Sequence, residues 1–588
     1  MRLQLGNITG KYEAYGLERV EVLRGPASVL FGPNEPGGLV NLVSRRPSTT
    51  AGGEVRLSAG SFDLRQAEVT MRGPLDADRR WSYSLTGVLR DSDLQVDYQR
   101  NDRVFVAPAL QWQPTDTTRI TFLSSYQHDR TNGDEFLPYV GTATASAFGR
   151  VPRSRFTGEP ALDRYNRTSW TVGYEIDHRI NEAFAVRQNM RFGRVEYDWY
   201  QTYGLGLVAG RQDLIERTAY RTKVDASGIG VDTHGEARFT TGPLRHTVLA
   251  GIDYGRVQFG TDPYTGGGSA LRFNLYQPAY LNRAVPLSPL ASTVTTTETV
   301  GLYLQDQIRL GERWVATVGL RQDWYNQDVR NRRSDTETAT DGDALTWRAG
   351  LTYRADNGLA PYVSYSESFN PETGVDFFGR PFRPTTGRQY EAGIKYQPTG
   401  RNSFIQAAVF DIARQNVRTI DPSNALNTVQ TGEVTVRGVE LEGVASLDFG
   451  LSLIAAVTWL DAEITRSNVA AERGRRPSGV AERLASAYLD YNFPVDSPAR
   501  GLAVGAGVRH IGNSAVGNNN VALVPSATVF DASLRYDLSR FGKPLEGVLA
   551  QVNFRNLADT RYVATCTGLG ACFYGERLSV IGTLAYRW

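Results

Sequence analysis

The chain is poor in sulfur and in histidine. Among 588 residues it carries 2 Cys, 3 Met and 5 His. The histidines (His128, His178, His234, His246, His510) are scattered without HxxxH spacing, and no CxxC occurs. A zinc site or a haem attachment motif is therefore excluded by spacing, and no metal site or cofactor is expected. No charge sign dominates: 64 basic against 62 acidic residues leave a formal +2, which offers no excess to drive nucleic-acid binding. No apolar run reaches the roughly 18 residues that a membrane-spanning helix needs. That leaves open a transmembrane β-barrel, whose signal per segment is far weaker. Met1 is followed by Arg2 and a mixed polar stretch, not by the apolar core of a secretory signal. No nucleophile–base motif is visible, so nothing calls for catalysis and an enzyme is not expected.

What is present is glycine (59 residues), aromatics (11%) and, from about Gly52, persistent period-2 alternation. Successive side chains of a strand point to opposite faces. In "RLSVIGTLAYRW", Leu578, Val580, Gly582, Leu584, Tyr586 and Trp588 share one face, and Arg577, Ser579, Thr583 and Arg587 lie mainly on the other. "ATVFDASLRYDL", "ALTWRAGLTYR", "RQYEAGIKYQP" and "RLASAYLDYNF" read the same way. Tight turns fall near Pro74, Pro114, Asn181, Gly242, Gly311, Asn357, Gly400, Phe449, Ser497 and Phe541, ten in all. Between them lie longer polar and aromatic segments: Gln127–Tyr165, Gly255–Thr297, Phe369–Arg388 and Tyr562–Arg577.

Short connections on one rim and long ones on the other mark an outer-membrane barrel. Ten turns imply eleven hairpins, hence an all-β, 22-stranded antiparallel transmembrane barrel with strands of about 9 to 11 residues. Barrels of that size are transporters with a plugged lumen. Residues 1–48 are expected to form part of an N-terminal plug inside the lumen, and residues 49–588 the barrel. Trp81, Tyr126, Trp170, Trp314 and Trp588, at strand ends, suit interfacial girdles.

The stretch "LERVEVLRGPASVLFGPNEPGGLVNLVSRRP" (17–47) has apolar pairs, Gly-Pro and Gly-Gly turns and two short strand-like runs suited to that plug. Together with "VGLYLQDQIRL", "LTWRAGLTYRADNGLAPYVSYSESFNP", "VRGVELEG" and "NLADTRYVATCTGLGACFYGERLSV", it resembles the TonB-dependent outer-membrane siderophore receptors. The likeness covers nearly the whole chain and is nearest the ferric hydroxamate (ferrichrome-type) branch. It implies a monomer in the outer membrane of a Gram-negative bacterium, importing a ferric siderophore with TonB as partner. It also implies a signal peptide, a TonB box and the first half of the plug ahead of Met1. The expectation is thus an internal Met1 and energy coupling in the full-length form.

A receptor that takes iron already wrapped in a chelator supplies no metal ligands, only aromatic faces and hydrogen bonds in a concave mouth. Phe136, Tyr139, Tyr264, Phe369 and Phe573 in the long segments, with Tyr15 on the plug surface, are the candidate ligand-binding residues. Packing in a girdle or loop is the alternative for each. By the resemblance, Phe136 and Asp134 stand where the branch carries an indole and a tyrosine. Glu391 and Glu440 alternate with Tyr390, Ala392, Val439 and Leu441, so their carboxylates point into the lumen if those neighbours face lipid. The resemblance sets Arg24 against this pair as a lock between plug and barrel, the alternative being solvated lumen charges. Cys566 and Cys572, close together in the last outer loop, are expected to form a structural disulfide. The rival functional reading is a passive channel lacking energy coupling; a soluble β-sandwich is the more distant alternative.

Overall fold

The computed structural model describes residues 11–372, 374, 381–421 and 424–588. Residues 1–10 of the expected plug and part of the Phe369–Arg388 segment lie outside them. The chain forms a closed barrel of 22 antiparallel strands. The first wall strand, Gly52–Gly60, pairs with the last, Ser579–Arg587, with Ala59 opposite Gly582. All ten expected turns are connections at one rim, two residues long after Thr115 and Thr241 but longer after Asn492 and Asp537, the last carrying two short helical turns.

The alternation sorts side chains as expected. On the strand Trp314–Asn331, Trp314, Val318, Leu320 and Trp324 are outward and exposed, while Arg321, Asp323 and Tyr325 are buried in the lumen. Ten residues separate the two tryptophans, about 33 Å along the strand. Tilted by roughly 40°, this spans about 25 Å, the height of an outer-membrane apolar band. Trp81 and Trp112 stack at 5.4 Å, and Tyr126, Trp170 and Trp588 are also exposed on outward faces.

Strand length departs from expectation. The strands run from Val548–Arg555 (8 residues) to Leu244–Asn274 (31 residues). The segment Gly255–Thr297, read as a loop, begins as the continuation of that long strand. A hydrogen-bonded ladder need not stop at the lipid boundary. Above it the strand Leu244–Asn274 stays paired with Leu214–Thr241 as far as Leu214 opposite Asn274, across one shift of register between Ile215 and Arg217.

Inside the lumen, Leu17–Arg24 and Gly38–Ser44 form a separate two-stranded antiparallel sheet. Gly38 adopts φ +115°, and a Cβ there would overlap the Leu23 carbonyl oxygen, so glycine is required. Between the strands a short turn of helix, Ser28–Phe31, seats on the wall. Val29 is buried against Gly319, Ser28 Oγ accepts the Phe369 N–H (3.1 Å), and the Asn34 N–H donates to the Phe369 carbonyl (2.8 Å).

Depth sets the cost of an outward charge. Val318→Arg, midway between the girdles, is expected to cost about 2–4 kcal/mol, and Asn326→Arg, above the outer girdle on the same face, about 0–1. Reversible denaturant titration in lipid vesicles measures both.

Candidate functional site

A lumenal cavity of about 890 Å³ lies against the wall where the first and last strands meet and opens among the outer loops. At its outer end it is lined by Phe62, Gln95, Asp134, Arg153, Phe573 and Arg577. Phe573 meets Phe136 edge-on at 5.5 Å, and Phe136 packs on Tyr203 at 5.0 Å. Two sequence-predicted aromatics, from loops more than 400 positions apart, thus converge on the mouth. Tyr203, Phe62 and the arginines were missed, because no local pattern marks which strand ends meet at the rim.

Four other aromatics sit elsewhere. Tyr139 donates to the Leu523 carbonyl (2.9 Å) and packs among loop residues, bracing the cap. Tyr264 shares the parity of Ile252 and Tyr254, both exposed outside the barrel, and its ring lies under Arg333 at 4.7 Å. It therefore points away from the lumen, because the long strand carries its alternation past the membrane. Phe369, 1% exposed, is buried where the plug helix docks. Tyr15, 6% exposed, is wedged against Val88 and Phe105 with Arg45 and Arg56 over its ring, and so faces the wall.

The outer loops are cross-braced. Arg217, fully buried, donates to Glu159 (2.7 Å) and to the carbonyls of Leu271 (2.7 Å) and Thr157 (2.7 Å), while its guanidinium stacks on Phe273 at 4.5 Å. Such a site is costly to break, because its loss would leave the Glu159 carboxylate buried and uncompensated. Cys566 and Cys572 are joined by a disulfide across the hairpin formed by Val563–Gly568 and Ala571–Tyr574. That hairpin packs with Ala143, Val516 and Val524 from two other loops.

Two acids in the loop between Thr131 and Arg164 are withdrawn from solvent, Glu135 buried and Asp163 partly so. Glu135 accepts from the Thr157 N–H (2.8 Å) and Gln99 (3.0 Å), and Asp163 accepts from the Thr202 N–H (3.0 Å). Burial pushes the Glu135 carboxyl up to about 7 in spite of these donors. Burial likewise raises Asp163 to about 8, with the Glu135 and Glu159 carboxylates adding to the shift.

Lower in the lumen, Arg24 donates to Glu440 (2.8 Å) and to Glu442 (2.5 Å). Glu391, the second expected partner, instead accepts from Tyr362 (2.5 Å) and Gln389 (2.6 Å). The reason is strand geometry. Glu440 and Glu442 share one face of one strand within reach of a single guanidinium fork, whereas Glu391 sits two strands away, about 10 Å. Arg24 is about half exposed, so this contact is of the weak, solvated kind, about 0–1 kcal/mol.

A second plug contact, unanticipated from sequence, is buried. Glu13, with a side chain 4% exposed, accepts from Arg103 (2.9 Å) and Arg90 (3.4 Å). Arg103 also holds Asp129 (2.6 Å), and Arg167 lies 3.5 Å from Asp129. The Lys11 carbonyl accepts from both Gln127 (2.9 Å) and Arg167 (2.9 Å). These wall residues lie near the outer ends of their strands, while Glu440 and Glu442 lie toward the inner rim.

A 22-stranded barrel with a sheet seated in its lumen and a braced aromatic mouth is the architecture of a plugged outer-membrane transporter. Residues 108–557 match the family model described as TonB dependent receptor-like, beta-barrel. The chain belongs to the TonB-dependent receptor family, outer-membrane proteins of Gram-negative bacteria. It is 35% identical to the ferrichrome outer membrane transporter/phage receptor of Escherichia coli K12, over 98% of this chain and 79% of that protein. It is 34% identical to the ferrioxamine B receptor of Salmonella typhimurium, over 97% and 80%. The siderophore receptor PiuA from Acinetobacter baumannii shares the fold, with a TM-score of 0.88 at 20% identity over 98% of this chain and 87% of that one.

The raised acids make the outer loop pH-sensitive. Each carboxyl binds its proton more tightly folded than unfolded, where it titrates near 4. Their contribution to loop packing is full below about pH 4 and is lost as pH rises through about 7 to 8. Protection of residues 131–164 against hydrogen exchange, corrected for the intrinsic pH dependence, is expected to fall between about pH 4 and 8, and Glu135→Gln to flatten the lower part of that fall. Replacing Cys566 and Cys572 by serine is expected to cost the hairpin about 2 kcal/mol, read as faster exchange at residues 563–574.

Proposed function

We propose that this chain is an importer of ferric siderophores of the hydroxamate class, with TonB as its energy source. The observation that carries the reading is the mouth: Phe573 lines a polar cavity of about 890 Å³ and is backed by Phe136, which packs in turn on Tyr203. Such a site suits a bulky chelate with an apolar rim and oxygen-rich faces, held by dispersion and a few hydrogen bonds. The printed functions of the ferrichrome and ferrioxamine B relatives support the cargo class. Under this reading Arg24, Glu440 and Glu442 act as a weak inner lock that opens as the plug moves.

A passive channel is the second reading. It is favoured by the reach of the cavity, which extends from Arg577 among the outer loops to Arg587 beside the inner rim. Planar-bilayer recording separates the two: steady large conductance supports the channel, and closed traces support the importer.

Titration of the purified protein in detergent with ferrichrome and ferrioxamine B, read by tryptophan fluorescence, tests the cargo. Saturable binding of at least one iron complex is expected, weakened about tenfold by Phe573→Ala. Absence of binding to both overturns the hydroxamate reading.

A further inference from the structure

Arg90 belongs to two places at once. It lines the large cavity with Gln66, Glu68 and Gln99, and it donates to Glu13 of the plug at 3.4 Å. Its Nε is held on Gln66 at 2.5 Å, so the guanidinium is aimed before any plug residue reaches it. Glu13 is fixed more tightly by Arg103 at 2.9 Å, and its other oxygen accepts the Tyr15 N–H at 3.0 Å. Arg90 therefore makes the longest and weakest of the contacts that hold this carboxylate, and it is the one that faces the cavity.

The wall patch gathers several guanidinium groups. The wall acid Asp129 keeps Arg103 at 2.6 Å and Arg167 at 3.5 Å without help from the plug, and Arg90 stands beside them. Glu68 is a further wall acid beside the cavity, already taking the Gln66 amide at 2.7 Å. Lys11 brings another cation, over the Tyr165 ring at 5.6 Å. Glu13 thus brings a plug carboxylate to a cluster whose buried guanidinium groups favour acceptors. The patch is already assembled on four wall strands and would present those donors to any acceptor that replaced it.

We propose that Glu13 is an internal stand-in for an oxygen-rich group of the cargo, competing with it for Arg90, so that filling the mouth loosens the outer end of the plug. The proposal rests on the ferric-hydroxamate reading, since hydroxamate and amide oxygens are the acceptors that a guanidinium would take. Glu13 and Arg90 are then positioning residues for transport. The coupling is reciprocal: whatever weakens Glu13 at Arg90 strengthens cargo there, and cargo at Arg90 weakens the hold on residues 11–16. The exposed Arg24 contact, near the inner rim, has no such link to the cavity.

A purely structural Glu13 and a competing Glu13 give opposite signs. Loss of a structural brace disorders the mouth and weakens cargo binding; loss of a competitor strengthens it. With the intact protein in detergent and ferrichrome or ferrioxamine B as probe, Glu13→Gln is expected to tighten binding about fivefold and to speed hydrogen exchange at residues 11–16. Arg90→Gln is expected to weaken binding and to abolish the gain from Glu13→Gln in the double variant. In the wild type, adding the probe should itself speed exchange at residues 11–16 and leave the Arg24 strand unchanged. Unchanged or weaker binding in Glu13→Gln, or the same gain with Arg90 absent, overturns the proposal. Should Glu13→Gln fail to fold, Glu13→Asp, whose shorter side chain draws back from Arg90, carries the same expected sign. Failure of both probes to bind the wild type defeats the cargo reading, and the proposal with it; binding with the wrong variant pattern defeats the proposal alone.

Discussion

Closure of the wall is the constraint on which everything else depends. In hydrocarbon each unpaired backbone N–H or C=O costs several kcal/mol, so a sheet can cross a membrane only without edges. Pairing of Gly52–Gly60 with Ser579–Arg587 removes the last two edges. Once the cylinder is shut, alternation becomes a sorting rule: one parity meets lipid and the other lines an enclosed polar space. The lumen can then hold charges such as Arg321 and Asp323, both fully buried, because they satisfy each other there.

That enclosed space shapes the rest of the molecule. Among the described residues of the lumenal sheet, Val20, Val22 and Val40 are exposed. The described docking contacts include directed ones: Ser28 and Asn34 on the Phe369 backbone, Arg24 on two glutamates, Glu13 on two arginines. These differ in burial from Arg24, about half exposed, to Glu13, at 4%. The described contacts of the plug with the wall are thus largely polar and separate from one another, with Tyr15 and Val29 adding apolar burial. The outer loops are built the other way, with small apolar clusters, a disulfide and the Arg217 brace keeping the mouth in shape.

Much of this was legible in the residues. The ten turns, the 22 strands and the outward tryptophans follow from period-2 alternation and turn chemistry, both local properties. The disulfide follows from two cysteines close in sequence. The site was less legible. Phe136 and Phe573 reach the mouth, while Tyr264 points outward and Phe369 and Tyr15 are buried. Being aromatic and in a long segment does not say which way a rim residue turns. Strand ends beyond the membrane keep their parity, and some apparent loops are strands.

Sequence by itself determined the class of fold and the face of each wall residue, because side-chain direction in a strand depends only on position along it. Only the tertiary structure decided which residues meet across the lumen. Glu442 rather than Glu391 takes Arg24, and Glu13 finds Arg90 and Arg103, far from it in sequence. Such contacts depend on how 22 strands wind around a plug, and no local pattern carries that geometry.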